Sequence, residues 1–179
     1  VNSLSTMTNA LFASGGISKM GSLRNIQLKR GGKIITTLDL YRLLLNGDTT
    51  NDARLLPGDV IFIPPIGKTV GVSGEVRRPA IYELNKETTA AQVVSLAGGF
   101  LGTAYPQASR IERINDKGQR TLVDVDLKTR QGKNLVIKDA DTLQVFSVLD
   151  TVEGIVEIEG HVKRPGGSAW QAGLHFSDV

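Results

Sequence analysis

Gly67-Lys68-Thr69 ends a stretch that superficially matches a phosphate-cradling loop. Such a loop needs its first glycine at position 62, where the chain has Phe62. Pro64 and Pro65 also remove backbone donors that would face the phosphates. The plainer reading is a connector. Gly71-Val72-Ser73-Gly74-Glu75 approaches the turn that presents a nucleophilic serine, but Glu75 stands where a second glycine is required. That segment also runs into a hairpin pattern rather than a helix. His161 and His175 have no partner at metal-ligand spacing. Cysteine is absent, which removes disulfides, thiolate metal sites and cysteine nucleophiles together. Nothing selects a Ser-His-Asp set. The expectation is a chain with no catalytic residue, no metal site and no cofactor.

Two further groups have chemistry of a milder kind. Asp59 and Asp141 occupy matching places in separate segments, so they are expected to lie far apart, unlike the carboxylate pair of a glycosidase. Each is expected to cap a turn by accepting hydrogen bonds from its own backbone. Arg77 and Arg78, and later Lys163 and Arg164, cluster at predicted hairpin turns. They read either as solvated turn charge or as contacts for an acidic glycan or a neighbouring subunit's carboxylates, for which the planar guanidinium is suited. Tyr82 and Trp170 are candidate stacking faces for sugar rings, although isolated aromatics are more often packing residues.

The elements that hold these residues come into view through an internal repeat. Residues 70–79 and 156–165 match at a spacing of 86: Val72 with Ile158, Gly74 with Gly160, Val76 with Val162, Arg78 with Arg164 and Pro79 with Pro165. At a spacing of 83, Ser14-Gly15-Gly16-Ile17 falls on Ala97-Gly98-Gly99-Phe100, and Leu28-Lys29-Arg30 falls on Ile111-Glu112-Arg113. Leu55, Asp59, Ile61 and Ile63 fall on Ile137, Asp141, Leu143 and Val145 at a spacing of 82. After a longer turn, Asp39-Leu40 falls on Asp126-Leu127. The order of these blocks predicts part of a first domain at 1–66, a complete second at 67–149 and part of a third at 150–179. Both ends are expected to cut through a unit.

Within the complete unit, residues 70–76 alternate like a half-buried strand, Arg78-Pro79-Ala80 turns, and 81–84 returns. Thr88 or Thr89 caps a short helix with Ala90, Val93, Val94 and Ala97 on one face, and Gly98-Gly99 ends it. Strands at 109–114 and 120–126 flank the Asn115-Asp116-Lys117-Gly118 turn. A helical turn at 126–130 and a closing strand at 142–148 complete the unit, and a helix at 37–45 is expected in the first copy. The layout is α+β, a mixed sheet over one short helix.

Composition sets the outer bounds. With 40% hydrophobic and 22% charged residues, the chain is too apolar for disorder. It lacks the periodicity of collagen or a coiled coil. No stretch approaches the roughly 18 apolar residues of a spanning helix, and no signal-peptide pattern is present. Net charge is +3 and spread along the chain, without the dense basic stripe of a nucleic-acid binder.

Gly74-Glu75-Val76-Arg77-Arg78-Pro79, then Leu96-Ala97-Gly98-Gly99, in order and at domain spacing, resembles the soluble-ligand-binding β-grasp (SLBB) repeat. Leu56-Pro57-Gly58-Asp59-Val60-Ile61-Phe62-Ile63-Pro64-Pro65 is similar to that family's closing strand. Two departures stand out: Ala140 and Ala80 occupy positions where the family usually has glycine. The resemblance is to bacterial outer-membrane polysaccharide export proteins of the Wza type. It implies tandem β-grasp domains without a catalytic step, periplasmic, in a parent protein associated with the outer membrane. It further implies a homo-oligomeric ring of neighbouring subunits, weak or indirect contact with polysaccharide cargo, and docking to inner-membrane export machinery. A soluble-ligand or glycan-binding receptor module is the alternative, and an accessory domain of an enzyme is a third. Nucleic acid is not expected as a partner.

Overall fold

The computed structural model describes residues 5–148 and the backbone of two later strands. The chain divides into two compact units, Val1–Ser147 and Val148–Val179. The first opens with α1 (Met7–Ala13), β1 (Ile26–Arg30), β2 (Lys33–Leu38), α2 (Leu40–Asn46) and β3 (Val60–Phe62). It continues with β4 (Thr69–Gly74), β5 (Ala80–Glu83), α3 (Ala90–Leu96) and a 3-10 turn at Pro106–Ala108. Then follow β6 (Ser109–Ile114), β7 (Arg120–Val125), α4 (Arg130–Lys133) and β8 (Asp141–Val145). In the second unit β9 (Ile155–Ile158) and β10 (Gly166–Ala169) form an antiparallel pair.

The fold is α+β. A three-stranded sheet runs β2-β1-β3 and a five-stranded sheet runs β5-β4-β8-β6-β7. Only β4 and β8 pair in parallel; the other pairings within these two sheets are antiparallel. Each sheet covers its own core, because alternate strand residues point to one face. The first core gathers Met7, Leu11, Ile26, Leu28, Leu38 and Leu40. The second places Val93 and Val94 of α3 against Val70, Val72, Ile111, Leu143 and Val145. Val70, Val93 and Leu143 are fully buried, each contributing about 1.5–3 kcal/mol relative to exposure.

The two sheets repeat one set of local devices. Thr6 Oγ1 accepts from Asn9 N at 3.4 Å to cap α1, and Thr89 Oγ1 accepts from Gln92 N at 3.5 Å to cap α3. At α3 the Gln92 side chain returns the bond from the Thr89 N–H, closing a capping box. Both helices run out into paired left-handed glycines, Gly15-Gly16 and Gly98-Gly99. The Met7 amide donates to Ala53 O and the Ala90 amide to Leu135 O, seating both helices alike on the chain leading to the closing strand.

The segment expected as a helix over 37–45 is corrected here. Thr36, Thr37 and Leu38 belong to β2, opposite Leu28, Gln27 and Ile26. Their branched side chains suit a pleated strand. The helix begins only at Leu40, where Asp39 Oδ1 accepts from the Tyr41 N–H at 2.9 Å. A turn forms within the expected 126–130, where the Thr129 N–H donates to Asp126 O at 3.2 Å, and the helical turn α4 follows it at Arg130–Lys133, capped by Thr129. Ala140 is left-handed at φ +64°, as Gly58 is at φ +86° in the first copy.

Asp59 and Asp141 cap their turns as expected, accepting the Leu56 and Lys138 N–H groups, each at 2.8 Å. Each also grips an arginine through two bonds: Arg30 to Asp59 at 2.7 and 2.9 Å, Arg113 to Asp141 at 2.9 and 2.6 Å. Arg30 and Arg113 are themselves matched repeat positions. The Arg30 guanidinium, with the Leu56 N–H, holds the Asp59 carboxyl at about 2, below its ordinary 3.8. A depressed carboxyl stabilises the fold above its unfolded value, and that contribution is lost as pH falls toward about 2. Urea midpoints of the native chain and Asp59→Asn are therefore expected to converge between about pH 4 and pH 2. A constant difference across that window would remove the Arg30 pairing as the cause.

Candidate functional site

Gly74 and the turn after it bring Arg77 and Arg78 to the end of α3. The Arg77 amide donates to Gly99 O at 3.0 Å and the Arg78 amide to Ala97 O at 2.9 Å. The Arg78 guanidinium reaches Leu96 O at 3.2 Å, a cation at the carbonyl end of a helix. Arg77 is exposed and makes no ion pair among the described residues. The two arginines thus differ: one is anchored, the other points to solvent.

Tyr82 is corrected as a stacking face. It is 7% exposed. Its hydroxyl donates to Arg78 O at 2.5 Å, and its ring meets Tyr41 edge-on at 6.1 Å between centroids. A sugar ring has no access to a face already packed in the core, so Tyr82 braces the Arg78 turn instead. Lys163, Arg164 and Trp170 lie outside the described residues, as do His161 and His175. The Gly67 amide, proposed and set aside as a phosphate donor, is used inside the protein, donating to Glu83 Oε1 at 3.0 Å.

The most elaborate polar cluster joins the first sheet to the second, and no sequence spacing pointed to it. Glu83, at the end of β5, is 4% exposed. Its carboxylate accepts from Ser22 Oγ at 2.7 Å, Leu23 N at 2.9 Å and Gly67 N at 3.0 Å. Beside it, Arg24 is 8% exposed and spends its donors on three partners. It binds Asp39 through Nε and Nη2, Glu87 at 2.8 and 3.1 Å, and Glu83 O at 3.0 Å. The guanidinium lies 4.7 Å from the Tyr41 ring centroid. Burial opposes the Arg24 charge, but the Glu87 and Asp39 bonds outweigh it and hold its pKa above the ordinary value. For Glu87 burial again opposes the charge, and Arg24 with the Asn85 N–H outweighs it, lowering its pKa. Burial pushes the Tyr41 hydroxyl up, against the lowering effect of the Glu83 N–H it accepts. Every group here has a partner, which is what a low-dielectric joint requires.

Next to this joint, α2 and α3 bound a groove of about 370 Å³. Its rim carries Arg42, Asn46, Arg78, Lys86, Gln92 and Ser95, and Tyr41 and Leu96 contribute apolar surface. Arg42 pairs with Asp48 at 2.6 Å, and Arg78 is held by Leu96 O. Lys86 is exposed with no ion pair among the described residues. In the wall Arg24 is buried and Glu87 half-buried, and Arg24 divides its donors between Glu87 and Asp39. The rim therefore presents positive charge and amide donors over a partly apolar wall, suited to an anionic, hydroxyl-rich ligand. Of the sequence-predicted contacts, Arg78 lies on this groove.

Among the described residues there is no cluster of three or more metal-ligating side chains, and no helix is long and apolar enough to cross a membrane. The SLBB domain family matches residues 69–124, from β4 through most of β7. Two polysialic acid transport proteins KpsD of Escherichia coli are each 25% identical to the chain over 176 residues. The match covers 94% of this chain and 30% of each relative, so the chain spans about a third of their length. With its mixed sheet over α3 and its left-handed glycine turns, the chain carries an SLBB domain at residues 69–124.

Proposed function

We propose that this chain is a non-catalytic, periplasmic part of a polysaccharide export protein, and that its α2–α3 groove touches an acidic polysaccharide on its way through the envelope. The observation that carries the cargo contact is the rim of Arg42, Arg78 and Lys86 beside Asn46, Gln92 and Ser95. The relatives transport polysialic acid, a polymer with a carboxylate on each sugar. A shallow cationic groove suits transient contact with such a polymer, because charge attracts it without enclosing it. In this reading residues 1–66, 67–149 and 150–179 belong to three successive domains. The parent is an oligomeric conduit associated with the outer membrane, its subunits meeting through unlike faces and contacting inner-membrane export machinery. The alternative, a receptor module for a soluble glycan, would use the same groove but bind a short saccharide as tightly as the polymer.

The test is an amide NMR titration with oligosialic acid, with neutral dextran as the control. Shifts at Arg42, Asn46, Arg78, Lys86 and Ser95 are expected with the acidic sugar alone, fading as salt is raised because the screening length falls from about 10 Å at 0.1 M to about 3 Å at 1 M. Arg78→Ala with Lys86→Ala is expected to weaken binding about tenfold, a loss of about 1.4 kcal/mol. Equal shifts with dextran, or none with either sugar, would remove the groove from the cargo path.

A further inference from the structure

Strand β7 is the outermost strand of the five-stranded sheet, with β6 on one side and no strand on the other among the described residues. The open edge comes from the repeat itself. β6 and β7 form a local hairpin at residues 109–125, inside the first unit. Their counterparts β1 and β2 also form a hairpin, and β2 is likewise outermost in the three-stranded sheet. An open strand edge is a template for pairing, and charged residues usually blunt it by meeting their like. The charges on β7 are arranged differently.

Read backwards, β7 is its own complement. Arg120, Leu122 and Asp124 share one face, because side chains alternate along a strand. It is the solvent face: Leu122 is 62% exposed, whereas Val125, on the other face, belongs to the core. When a second β7 is laid antiparallel about Leu122, Arg120 meets the other copy's Asp124, Leu122 meets Leu122, and Asp124 meets Arg120. The neighbouring strand continues the alternation. Within one chain Arg110 Nε lies 2.9 Å from Asp124, and Arg120 Nη1 lies 3.1 Å from Glu112. The row across the joint therefore runs Arg110, Asp124, then Arg120 and Glu112 of the second copy, with alternating sign. Unlike charges opposite one another on paired strands stabilise the pair.

The backbone selects the same register. The Asn115 N–H donates to Gln119 O at 2.9 Å, which makes that pair a hydrogen-bonded one. Antiparallel pairs alternate between bonded and non-bonded, and the β6–β7 register runs without a shift from Ile114–Arg120 to Ser109–Val125. The pairs made by Arg120, Leu122 and Asp124 are therefore the non-bonded ones, and their N–H and C=O groups point away from β6 to the open edge. The three residues whose side chains match are thus the three that offer backbone bonds. β2 has neither property: its one charge is Lys33, with no acid to meet it, and a register shift between Leu28 and Lys29 interrupts its pairing with β1.

We infer that two copies of this chain pair through their β7 strands, antiparallel about Leu122, into one continuous sheet. The same surface is used on both copies, so the contact is isologous and closes on two. It goes beyond the proposed function, resting neither on the cargo groove nor on the unlike-face contacts of a conduit. The edge is six residues long, short of a standard interface, so the dimer is expected to be weak and concentration-dependent.

Sedimentation velocity of the full 179-residue chain over roughly a hundredfold range of concentration is expected to show a reversible monomer–dimer equilibrium. Arg120→Asp sets an acid opposite Asp124 of the second copy, and Asp124→Arg sets two arginines opposite one another. Each variant alone is expected to raise the dimer dissociation constant about tenfold or more. Mixed in equal amounts, the two variants present unlike charges at both pairs, and dimerisation is expected to return to near the native level. The Arg120 and Asp124 side chains are 80% and 79% exposed, so their own ion pairs add little to folding, and amide spectra check each fold. The absence of cysteine gives a second reading of the register. Bonded antiparallel residues lie about 5.5 Å apart, within reach of a disulfide. Leu122→Cys under mild oxidation is expected to cross-link severalfold more than Ile114→Cys, which is also exposed but lies one strand away. A native chain that stays monomeric overturns the inference. So does a mixture that assembles no better than its components, or equal cross-linking of the two cysteine variants. The oligosialic acid titration reads the groove of α2 and α3 separately, so loss of either result leaves the other standing.

Discussion

Gly74→Ala is expected to cost about 3–5 kcal/mol, a large share of the 5–15 kcal/mol that holds a typical domain together. Gly74 ends β4 at φ +80°, in the left-handed region where a side chain costs about 1–2 kcal/mol by itself. The larger part is steric. A Cβ at this position would sit 1.9 Å from Val145 O and 2.9 Å from Val145 C, both backbone atoms of the parallel partner strand. No side chain can rotate aside to relieve that contact. Either the β4–β8 pairing opens at its end, or the turn that carries Arg77 and Arg78 moves off α3. Gly99 provides the control, since it is also left-handed at φ +87° but has no atom within 4 Å of its hypothetical Cβ. Gly99→Ala should therefore show only the conformational cost of about 1–2 kcal/mol. The measurement is the urea midpoint at constant m-value for both variants. If Gly74→Ala fell within about 1 kcal/mol of Gly99→Ala, the close approach to Val145 would not be what fixes glycine there.

Gly74 shows what kind of structure can be read from the chain alone. The glycine turns, a cap at Thr88 or Thr89 (Thr89 in the structure) and the hairpin at Asn115-Asp116-Lys117-Gly118 were legible because each is decided within a few residues. The matched Asp59 and Asp141 were legible as turn caps for the same reason. Their arginine partners were in view as matched positions, Arg30 and Arg113, but pairing them required knowing that β1 lies beside β3 and β6 beside β8. Ala140 stood out as a departure from the glycine pattern, and it does adopt the left-handed backbone that glycine favours. The helix start in the first copy was misplaced because residues 37–45 suit a helix by apolar spacing, while strand pairing with β1 claims Thr37 and Leu38. Tyr82 was misjudged for a related reason: a tyrosine's exposure depends on its neighbour across the fold, here Tyr41, 41 positions away. The Arg24–Glu83 cluster lies furthest from sequence reasoning. Arg24 corresponds by the repeat to Gln107, so no second copy of the cluster exists to advertise it.

That cluster carries the other large expected effect. Arg24→Met preserves much of the side-chain volume but removes the guanidinium from Asp39, Glu87 and Glu83 O. It leaves the two carboxylates only backbone and amide donors and no counter-charge, and is expected to destabilise the first unit by about 3 kcal/mol. Most of that loss would come from stranded carboxylates rather than from a strong native attraction, because burying the ion cluster is itself costly. The same substitution in an Asp39→Asn, Glu87→Gln background should therefore cost much less, a coupling that a double-mutant cycle reads directly. The pH dependence has a definite sign. Glu87 has a lowered pKa in the fold, so its pairing stabilises above the ordinary value near 4.5 and fades as pH falls below it. The gap between the native chain and Arg24→Met should narrow over that acid range. A gap independent of pH and of the carboxylate background would mean that Arg24 acts through packing on Tyr41 alone. Arg24 also forms part of the groove wall, with Arg42 of α2 and the Arg78 turn. Loss of its bonds to Glu83 and Glu87 should loosen the first sheet from β5 and spread those cations. Residual dipolar couplings of Arg24→Met would then need separate alignment tensors for the two sheets, where the native chain needs one. In the same variant the affinity for oligosialic acid should fall with no rim residue altered, which makes the joint the element that sets the spacing of Arg42 and Arg78.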